Sequence, residues 1–360
     1  MNRIYASLVA AALSIAAAAQ ISIYKDGQLI LFVDVQPDSI VLAGTLDQGI
    51  GSLGNSLNDN VLVGAIAGRF SVDNNKYVNF SRGNLQFQAS TGKWRFAERQ
   101  IDVVGQDNLN ASSTYNGWID LFPRGTSGWD SGAECYKPWQ RTTSYWDYWL
   151  GGARTTESTG NDHFKKLDNL WGKYANADWG VYNAIENGGN VAGQWRTLTN
   201  NEWIYLLSKR TNALHLVTHA TVEGVCGLIL LPDDWKELSD VKLKFTVDLN
   251  DNNKQPWATI VDHSVNYYSL NVLSIDQFAL LQANGAVFLP AAGSANASHF
   301  NGTNYEGNYW SATANSESHA YGPRITPYSY SPNSGYSRIE ALSVRLVHDI
   351  KRANAACAKR

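Results

Sequence analysis

The spacing of apolar residues predicts strands in two parts of the chain. Near the C-terminus, residues 287–289 and 344–347 are short apolar or β-branched runs, which is typical of buried strands. Further upstream, residues 77–80, 84–88 and 93–96 alternate polar and apolar side chains, which predicts strands with one buried face. A short turn between the last two would make them a hairpin.

Capping residues mark the starts of several helices. Thr199 and Ser274 each stand three positions before a Glu or Gln, which is the spacing of a capping box. Asp178 is predicted to be a further N-cap. The helices predicted from these residues cover 179–186, 200–209 and 275–284. Strands and helices do not alternate regularly, so the order predicts an α+β fold.

The N-terminus has the pattern of a signal peptide over residues 1–19. Arg3 supplies the positive charge, residues 4–18 form the apolar run, and small residues ending at Ala19 suit cleavage. The apolar run is shorter than the roughly 20 residues that a membrane span needs. The sequence therefore predicts an exported chain without a membrane span, located in the periplasm, at the cell surface or outside the cell.

Composition divides the exported part into three regions. Residues 20–67 would form a small β appendage of three strands and a connection rich in Gly and Asn. Residues 68–349 would form the main domain, and residues 350–360 a frayed tail. Within the main domain, residues 110–152 are rich in Trp and Gly and lack periodicity. Their rings would either fill the base of a long loop or stack on sugar rings.

Charge and cysteine usage exclude some classes of partner and scaffold. The net charge is −3 and no cluster of Lys or Arg occurs, so nucleic acid is not expected as a partner. The 3 cysteines are too few for a disulfide scaffold. Cys226 lies in an apolar run and is expected to be buried. Whether Cys135 pairs with Cys357 stays open.

Residues 294–340 form the strongest candidate for a recognition surface. This segment contains no Leu, Val or Lys and is rich in Tyr, Ser, Asn and Gly, which is the composition of antibody paratopes. We interpret it as a long loop held by strands at both ends, although a merely solvated loop would have a similar composition. Trp310 and Ala312 are assigned to packing. The candidate ligand-binding residues are Asn304, Tyr305, Asn308, His319, Tyr321, Arg324, Tyr328, Tyr330, Asn333, Tyr336 and Arg338.

Three motifs in this part of the chain resemble a known family. Residues 289–293 read Leu-Pro-Ala-Ala-Gly, residues 309–313 read Tyr-Trp-Ser-Ala-Thr, and residues 343–347 read Ser-Val-Arg-Leu-Val. This series resembles the Fibrobacter succinogenes major paralogous domain and its secreted relatives in gut Bacteroidetes. The resemblance covers residues 68–349, with Ala341 and Leu342 where the relatives usually have Gly before the last motif.

The resemblance implies a fold similar to formylglycine-generating enzyme and to C-type lectins. Those enzymes hold copper with a cysteine pair near the C-terminal part of the domain, and residues 285–349 contain no Cys. We therefore expect a non-catalytic protein without a cofactor that binds a protein or glycan ligand at the cell surface or outside the cell. The alternatives are a sulfatase-modifying enzyme of that type and a structural surface protein without a specific ligand.

The same fold also carries the variable proteins of diversity-generating retroelements, as the resemblance implies. Asn, Ser, Tyr, His, Gly, Ala, Thr, Pro and Arg fill most of residues 294–340. These residue types can all arise when the adenines of an Asn codon change. The sequence thus raises the hypothesis that this surface is hypervariable.

Other candidate chemistry is weaker. His215 and His219 are four positions apart, but residues 214–218 are expected to form a strand, where this spacing separates two side chains by several ångström. Ordinary histidines are therefore favoured over a metal site. Asp233 and Asp234 are adjacent, and a turn with a helix cap explains them better than a pair of catalytic carboxylates.

Overall fold

The computed structural model describes residues 61–152, 168–245 and 265–350, and the backbone of three strands between residues 19 and 43. The chain divides into two compact units, Met1–Asp59 and Asn60–Arg360. In the first unit, three antiparallel strands form a meander, as predicted: β1 (Ala19–Lys25), β2 (Gln28–Gln36) and β3 (Ser39–Ala43). The signal peptide apart from Ala19, and the predicted tail apart from Ile350, lie outside the described residues.

The second unit combines several small sheets with short helices. Its first five strands are β4 (Phe70–Asp73), β5 (Lys76–Phe80), β6 (Leu85–Gln88), β7 (Lys93–Phe96) and β8 (Leu121–Phe122). The middle strands are β9 (Arg196–Thr197), β10 (Val217–Val222), β11 (Val225–Leu230), β12 (Val272–Leu273) and β13 (Val287–Pro290). The last strands are β14 (Ser294–Ala295), β15 (Phe300–Asn301), β16 (Gly307–Asn308), β17 (His319–Thr326), β18 (Ser329–Ser337), β19 (Leu342–Ser343) and β20 (Leu346–Asp349).

Two four-stranded sheets join parts of the chain that are distant in sequence. One has the order β4-β5-β20-β9, so the last strand lies next to a strand from the start of the unit. The other has the order β12-β10-β11-β13. Both C-terminal runs predicted to be buried, residues 287–289 and 344–347, are fully buried, although strand pairing in the second run begins only at Leu346.

Two of the three predicted helices are present at their predicted positions. Helix α2 (Asn200–Ile204) continues through a π-helical turn, Tyr205–Lys209, and begins at the predicted capping box. Helix α3 (Ile275–Ala283) begins at the second capping box. Five 3₁₀ turns accompany them in the described residues: Gly105–Asn110, Tyr145–Tyr148, Gly172–Ala177, Ala213–His215 and Tyr267–Ser269.

The prediction of a helix over residues 179–186 was wrong in its length. Asp178 caps α1 (Trp179–Tyr182) as expected, but the helix ends at Tyr182. The chain then becomes extended at Asn183, and the N–H of Glu186 donates to the Trp94 carbonyl 2.9 Å away. Tertiary bonding to the strand that contains Trp94 thus replaces the helical hydrogen bonds.

The boundary of the main domain lies earlier than residue 68. Residues 61–67 pack with the second unit, where Ile66 is buried and its N–H donates to the Phe80 carbonyl at 2.8 Å. Ala65 pairs with Ser81 in an isolated bridge. The loose connection predicted from Gly and Asn content therefore cannot extend as far as residue 67.

Aromatic side chains fill much of the interior. Phe80 packs against Phe70 and Trp203, with ring centroids 5.1 and 6.1 Å apart. A second cluster contains buried Trp94, Trp179, Trp195 and Trp310, with Trp129 and Trp139 packed against it. Trp310 and Ala312 are buried, as their assignment to packing predicted. In the described residues, no helix has the length and apolar character needed to cross a membrane.

Candidate functional site

The segment predicted as a loop over residues 294–340 is instead built around a β-hairpin. Strands β17 and β18 pair from His319 with Ser337 to Thr326 with Ser329, and β16 completes a three-stranded sheet. The prediction failed because Ile325 is the one large aliphatic residue at the inward positions of the two strands, and the others are Ala, Gly, Pro and Tyr. Their burial, for example at Ala320 and Gly322, still follows the alternation of a strand.

One face of this hairpin is directed outward and carries polar and aromatic side chains. His319, Arg324 and Asn333 are exposed, and Tyr321 is half-buried. Cross-strand partners on this face include Ser337 opposite His319, Gly335 opposite Tyr321 and Ser331 opposite Arg324. We call the surface formed by the outward side chains of β17 and β18, together with the turn that carries Tyr305, the hairpin face. Its serines were not singled out from the sequence, although period-two alternation in residues 329–337 could have identified them.

Four residues expected to contact a ligand are instead buried: Asn308, Tyr330, Tyr336 and Arg338. Tyr336 donates its hydroxyl to Asn308 Oδ1 at 3.0 Å and to the Pro323 carbonyl at 3.2 Å. Tyr330 is only 1% exposed, and burial raises its pKa well above the usual range. Arg338 is fully buried. These side chains support the hairpin face from beneath it.

Arg338 holds the end of the hairpin against the Trp-rich segment. Its guanidinium donates to both carboxylate oxygens of Asp168, and one of these hydrogen bonds is 2.6 Å long. It also donates to the Ser316 carbonyl at 3.0 Å. Asp168 in turn accepts a hydrogen bond from the N–H of Leu150 at 3.1 Å.

Tyr305 stands on a turn whose backbone is held by several hydrogen bonds. Its N–H donates to the Gly302 carbonyl at 2.8 Å, and its own carbonyl accepts from the Tyr268 hydroxyl at 3.0 Å. Asn304 adopts the left-handed conformation, with φ of 61°, and its side-chain oxygen accepts from the N–H of Cys226 at 3.1 Å. The Tyr305 side chain is nevertheless 47% exposed, so a rigid turn presents an open ring.

Tyr305 and Tyr328 form an aromatic pair at one end of the hairpin face. Their ring centroids are 6.5 Å apart and the rings are nearly perpendicular, at 79°. Nearby, Arg324 forms an ion pair with Glu306. Burial raises the pKa of Glu340, and the negative charge of Glu306 adds to this effect. The face thus combines aromatic rings with one cation and two carboxylates.

A buried histidine supports the turn that joins β17 to β18. His219 Nε2 lies 3.1 Å from the Thr326 carbonyl, and burial lowers the pKa of His219 to about 4. The ring is therefore neutral at pH 7, and Nε2 carries the proton that it donates. Tyr267, Tyr268 and Tyr330 surround the ring, with centroids 5.6 to 5.9 Å away.

The other sequence candidates do not come together in a reactive site. His219 is buried, whereas His215 is exposed and ends a 3₁₀ turn. The prediction of a strand over residues 214–218 was therefore wrong at its beginning, because strand β10 begins only at Val217. Asp233 accepts from Ser71 and Arg210 rather than capping a helix. Within the described part of the chain, no group of three or more His, Cys, Asp or Glu residues is arranged to hold a metal ion.

The cysteines of the described residues are Cys135 and Cys226, and neither forms a disulfide there. Cys226 was predicted to be buried and is only partly buried, with its side chain packed against the core cluster that contains Phe80 and Trp203. Cys357 lies outside the described residues.

Comparison with family models, curated proteins and solved structures finds no match to this chain.

Proposed function

We propose that this chain is a secreted, non-catalytic binding protein that presents the hairpin face to a protein or glycan ligand on a C-type-lectin-like scaffold. The observation that carries the proposal is the exposed Tyr305 ring on a turn fixed by hydrogen bonds, next to Tyr328 and Arg324. Tyr and Arg supply much of the binding energy in known interfaces. The proposed contact residues are Asn304, Tyr305, His319, Tyr321, Arg324, Tyr328 and Asn333.

Preorganisation supports this choice of surface. A side chain that is already held in place loses little conformational entropy when a ligand binds. The hairpin face is supported from beneath by Tyr336, Tyr330 and Arg338, which hydrogen bonds or close packing hold in the interior. Substitutions on its outward positions would therefore alter the surface without altering the support.

This separation of support and surface also suits the hypothesis of hypervariability. We infer that a retroelement diversifies the outward codons of the hairpin face, which encode residues such as Tyr321 and Asn333. The gene should then have a near-copy of its 3′ end nearby, differing at adenines, next to a reverse transcriptase gene. Sequencing of the locus tests this, and differences confined to codons for buried positions would contradict it.

The binding proposal is tested with the exported chain, residues 20–360, immobilised and exposed to a panel of purified surface proteins and glycans. The variant Tyr305→Ser/Tyr321→Ser/Tyr328→Ser should lose at least about tenfold in affinity for any specific partner, since such aromatic residues often contribute more than 1.4 kcal/mol. Tyr182→Ser is the matched control, because Tyr182 is 42% exposed on helix α1. Equal loss in the control, or no loss in the triple variant, would contradict the proposal.

A further inference from the structure

A groove of about 510 Å³ lies in the second unit, outside the hairpin face. This volume falls in the range of about 300–1,000 Å³ that small-ligand sites occupy. The hairpin of β6 and β7 forms one wall, residues 101–104 and Trp118 form another, and the turn between β10 and β11 completes it. Ile101, Val103, Val104 and Val225 supply its apolar lining.

Trp118 and Arg95 form a flat, stacked wall of this groove. The Arg95 guanidinium carbon lies 3.9 Å from the centre of the Trp118 ring. Arg95 Nε donates to Gln86 Oε1 at 2.9 Å, and Nη1 donates to Glu98 at 3.1 Å. Two hydrogen bonds therefore fix the guanidinium over the ring, and the second terminal nitrogen, Nη2, donates to no acceptor in the described residues.

Gln86 is the most informative residue of the groove. It is only 4% exposed, yet it lines the groove. Its side-chain oxygen accepts from Arg95, but its side-chain nitrogen donates to no acceptor in the described part of the chain. The amide nitrogen is not among the fully buried side-chain atoms that lack a hydrogen-bond partner, so it is open to the groove and can donate to water or to a ligand there. The amide nitrogen of Gln86 thus points to a ligand or solvent acceptor in the groove.

The charge of the rim argues against an anionic ligand. Two guanidinium groups, those of Arg95 and Arg99, face three carboxylates, those of Glu98, Asp102 and Glu223, so the net charge is −1. Arg99 is already paired with Asp102 at 2.8 Å. A neutral ligand with many hydroxyl groups would avoid repulsion and could donate to the carboxylates while it accepts from Gln86 and Arg95.

We propose that this groove binds a neutral glycan. A pyranose ring would place its apolar C–H face against the stacked pair of Arg95 and Trp118 and against the valines, and its hydroxyl oxygens would accept from the Gln86 amide and from Arg95 Nη2. Glu98, Asp102 and Glu223 would accept from further hydroxyl groups at the rim. The site does not depend on the hairpin face, so the chain would bind a glycan here and its other partner there.

The test measures binding of neutral tetrasaccharides of glucose, mannose, galactose and xylose to the exported chain by calorimetry and tryptophan fluorescence. We expect at least one to bind. Gln86→Glu keeps the acceptor for Arg95 and removes the amide donor, so it should weaken glycan binding by about tenfold. Trp118→Ala should weaken binding by a similar factor, because a tenfold change in affinity corresponds to about 1.4 kcal/mol, which one such contact can supply. Trp118→Phe keeps an aromatic ring and should retain part of the affinity if Trp118→Ala does not fold.

Two controls separate this site from others. Trp171→Ala removes a tryptophan that is 44% exposed outside the groove and should leave glycan binding unchanged. Tyr305→Ser/Tyr328→Ser should also leave it unchanged, which distinguishes this site from the hairpin face. The proposal is overturned if no neutral tetrasaccharide binds, if a galacturonic acid tetrasaccharide or an acidic peptide binds more tightly, or if Trp171→Ala causes the same loss as Trp118→Ala.

Discussion

Arg338 donates two hydrogen bonds to the carboxylate of Asp168, and the two side chains are 0% and 2% exposed. This ion pair joins the residue that follows strand β18 to a carboxylate 170 positions earlier in the chain. Asp168 also accepts from the N–H of Leu150. Arg338, expected from the sequence to contact a ligand, instead links the hairpin to the Trp-rich segment.

Loss of this ion pair should destabilise the protein strongly. Arg338→Ala leaves the Asp168 carboxylate buried without its cation, which typically costs about 3–5 kcal/mol of unfolding free energy. Urea denaturation would measure this. The control Arg324→Ala removes an arginine that is 47% exposed and paired with Glu306, and it should cost about 1 kcal/mol or less. Similar costs for both variants would contradict the buried role of Arg338.

The tyrosines of the hairpin should separate into two groups by their effect on stability. Tyr330→Ser and Tyr336→Ser remove buried rings and should each cost about 3 kcal/mol. Tyr305→Ser should cost about 0.5 kcal/mol or less, because Tyr305 is 47% exposed and belongs to none of the buried core clusters of the described residues. Thermal unfolding of the single variants measures the difference. A large loss from Tyr305→Ser would place that ring in the core.

Asp120 should make stability depend on pH. It is completely buried, and burial raises its pKa to about 6 although Asn108 and the N–H of Val104 donate to it. The folded state therefore favours the protonated acid, and the stability that this group contributes at pH 4 is lost as the pH rises through 6. Its contribution should fall by about 3 kcal/mol, since one pKa unit equals about 1.36 kcal/mol.

The non-titrating variant Asp120→Asn isolates this effect. Urea denaturation of both proteins at pH 5 and pH 8 should show that the stability advantage of the wild type over the variant is smaller at pH 8. Other acids titrate equally in the two proteins and cancel in the comparison. An advantage that grows with pH would mean that Asp120 is stabilised as an anion in the folded state.

The exported chain should begin at Gln20. This prediction depends on the small residues Ala17 and Ala19, which suit the signal peptidase. Intact mass of the protein recovered from the culture medium or the periplasm measures the cleavage site. Retention of residues 1–19 in the exported product would contradict it, and Ala19→Arg should block processing.

The sequence by itself determined those elements whose signals are local. The capping boxes at Thr199 and Ser274 require only residues three positions apart, and both helices begin where they were predicted. The strands around Tyr77 and Trp94 follow from alternation, and the burial of residues 287–289 and 344–347 follows from their composition. The candidate surface segment was also located by composition alone.

Tertiary structure decided which side chains of that segment are exposed. Tyr305 and Tyr330 are the same residue type in the same segment, yet one is 47% and the other 1% exposed. The difference arises from the register of β17 with β18 and from the packing of Tyr330 on His219, a residue more than a hundred positions away. Composition carries no information about such pairings, because exposure of a side chain depends on what the distant chain places against it.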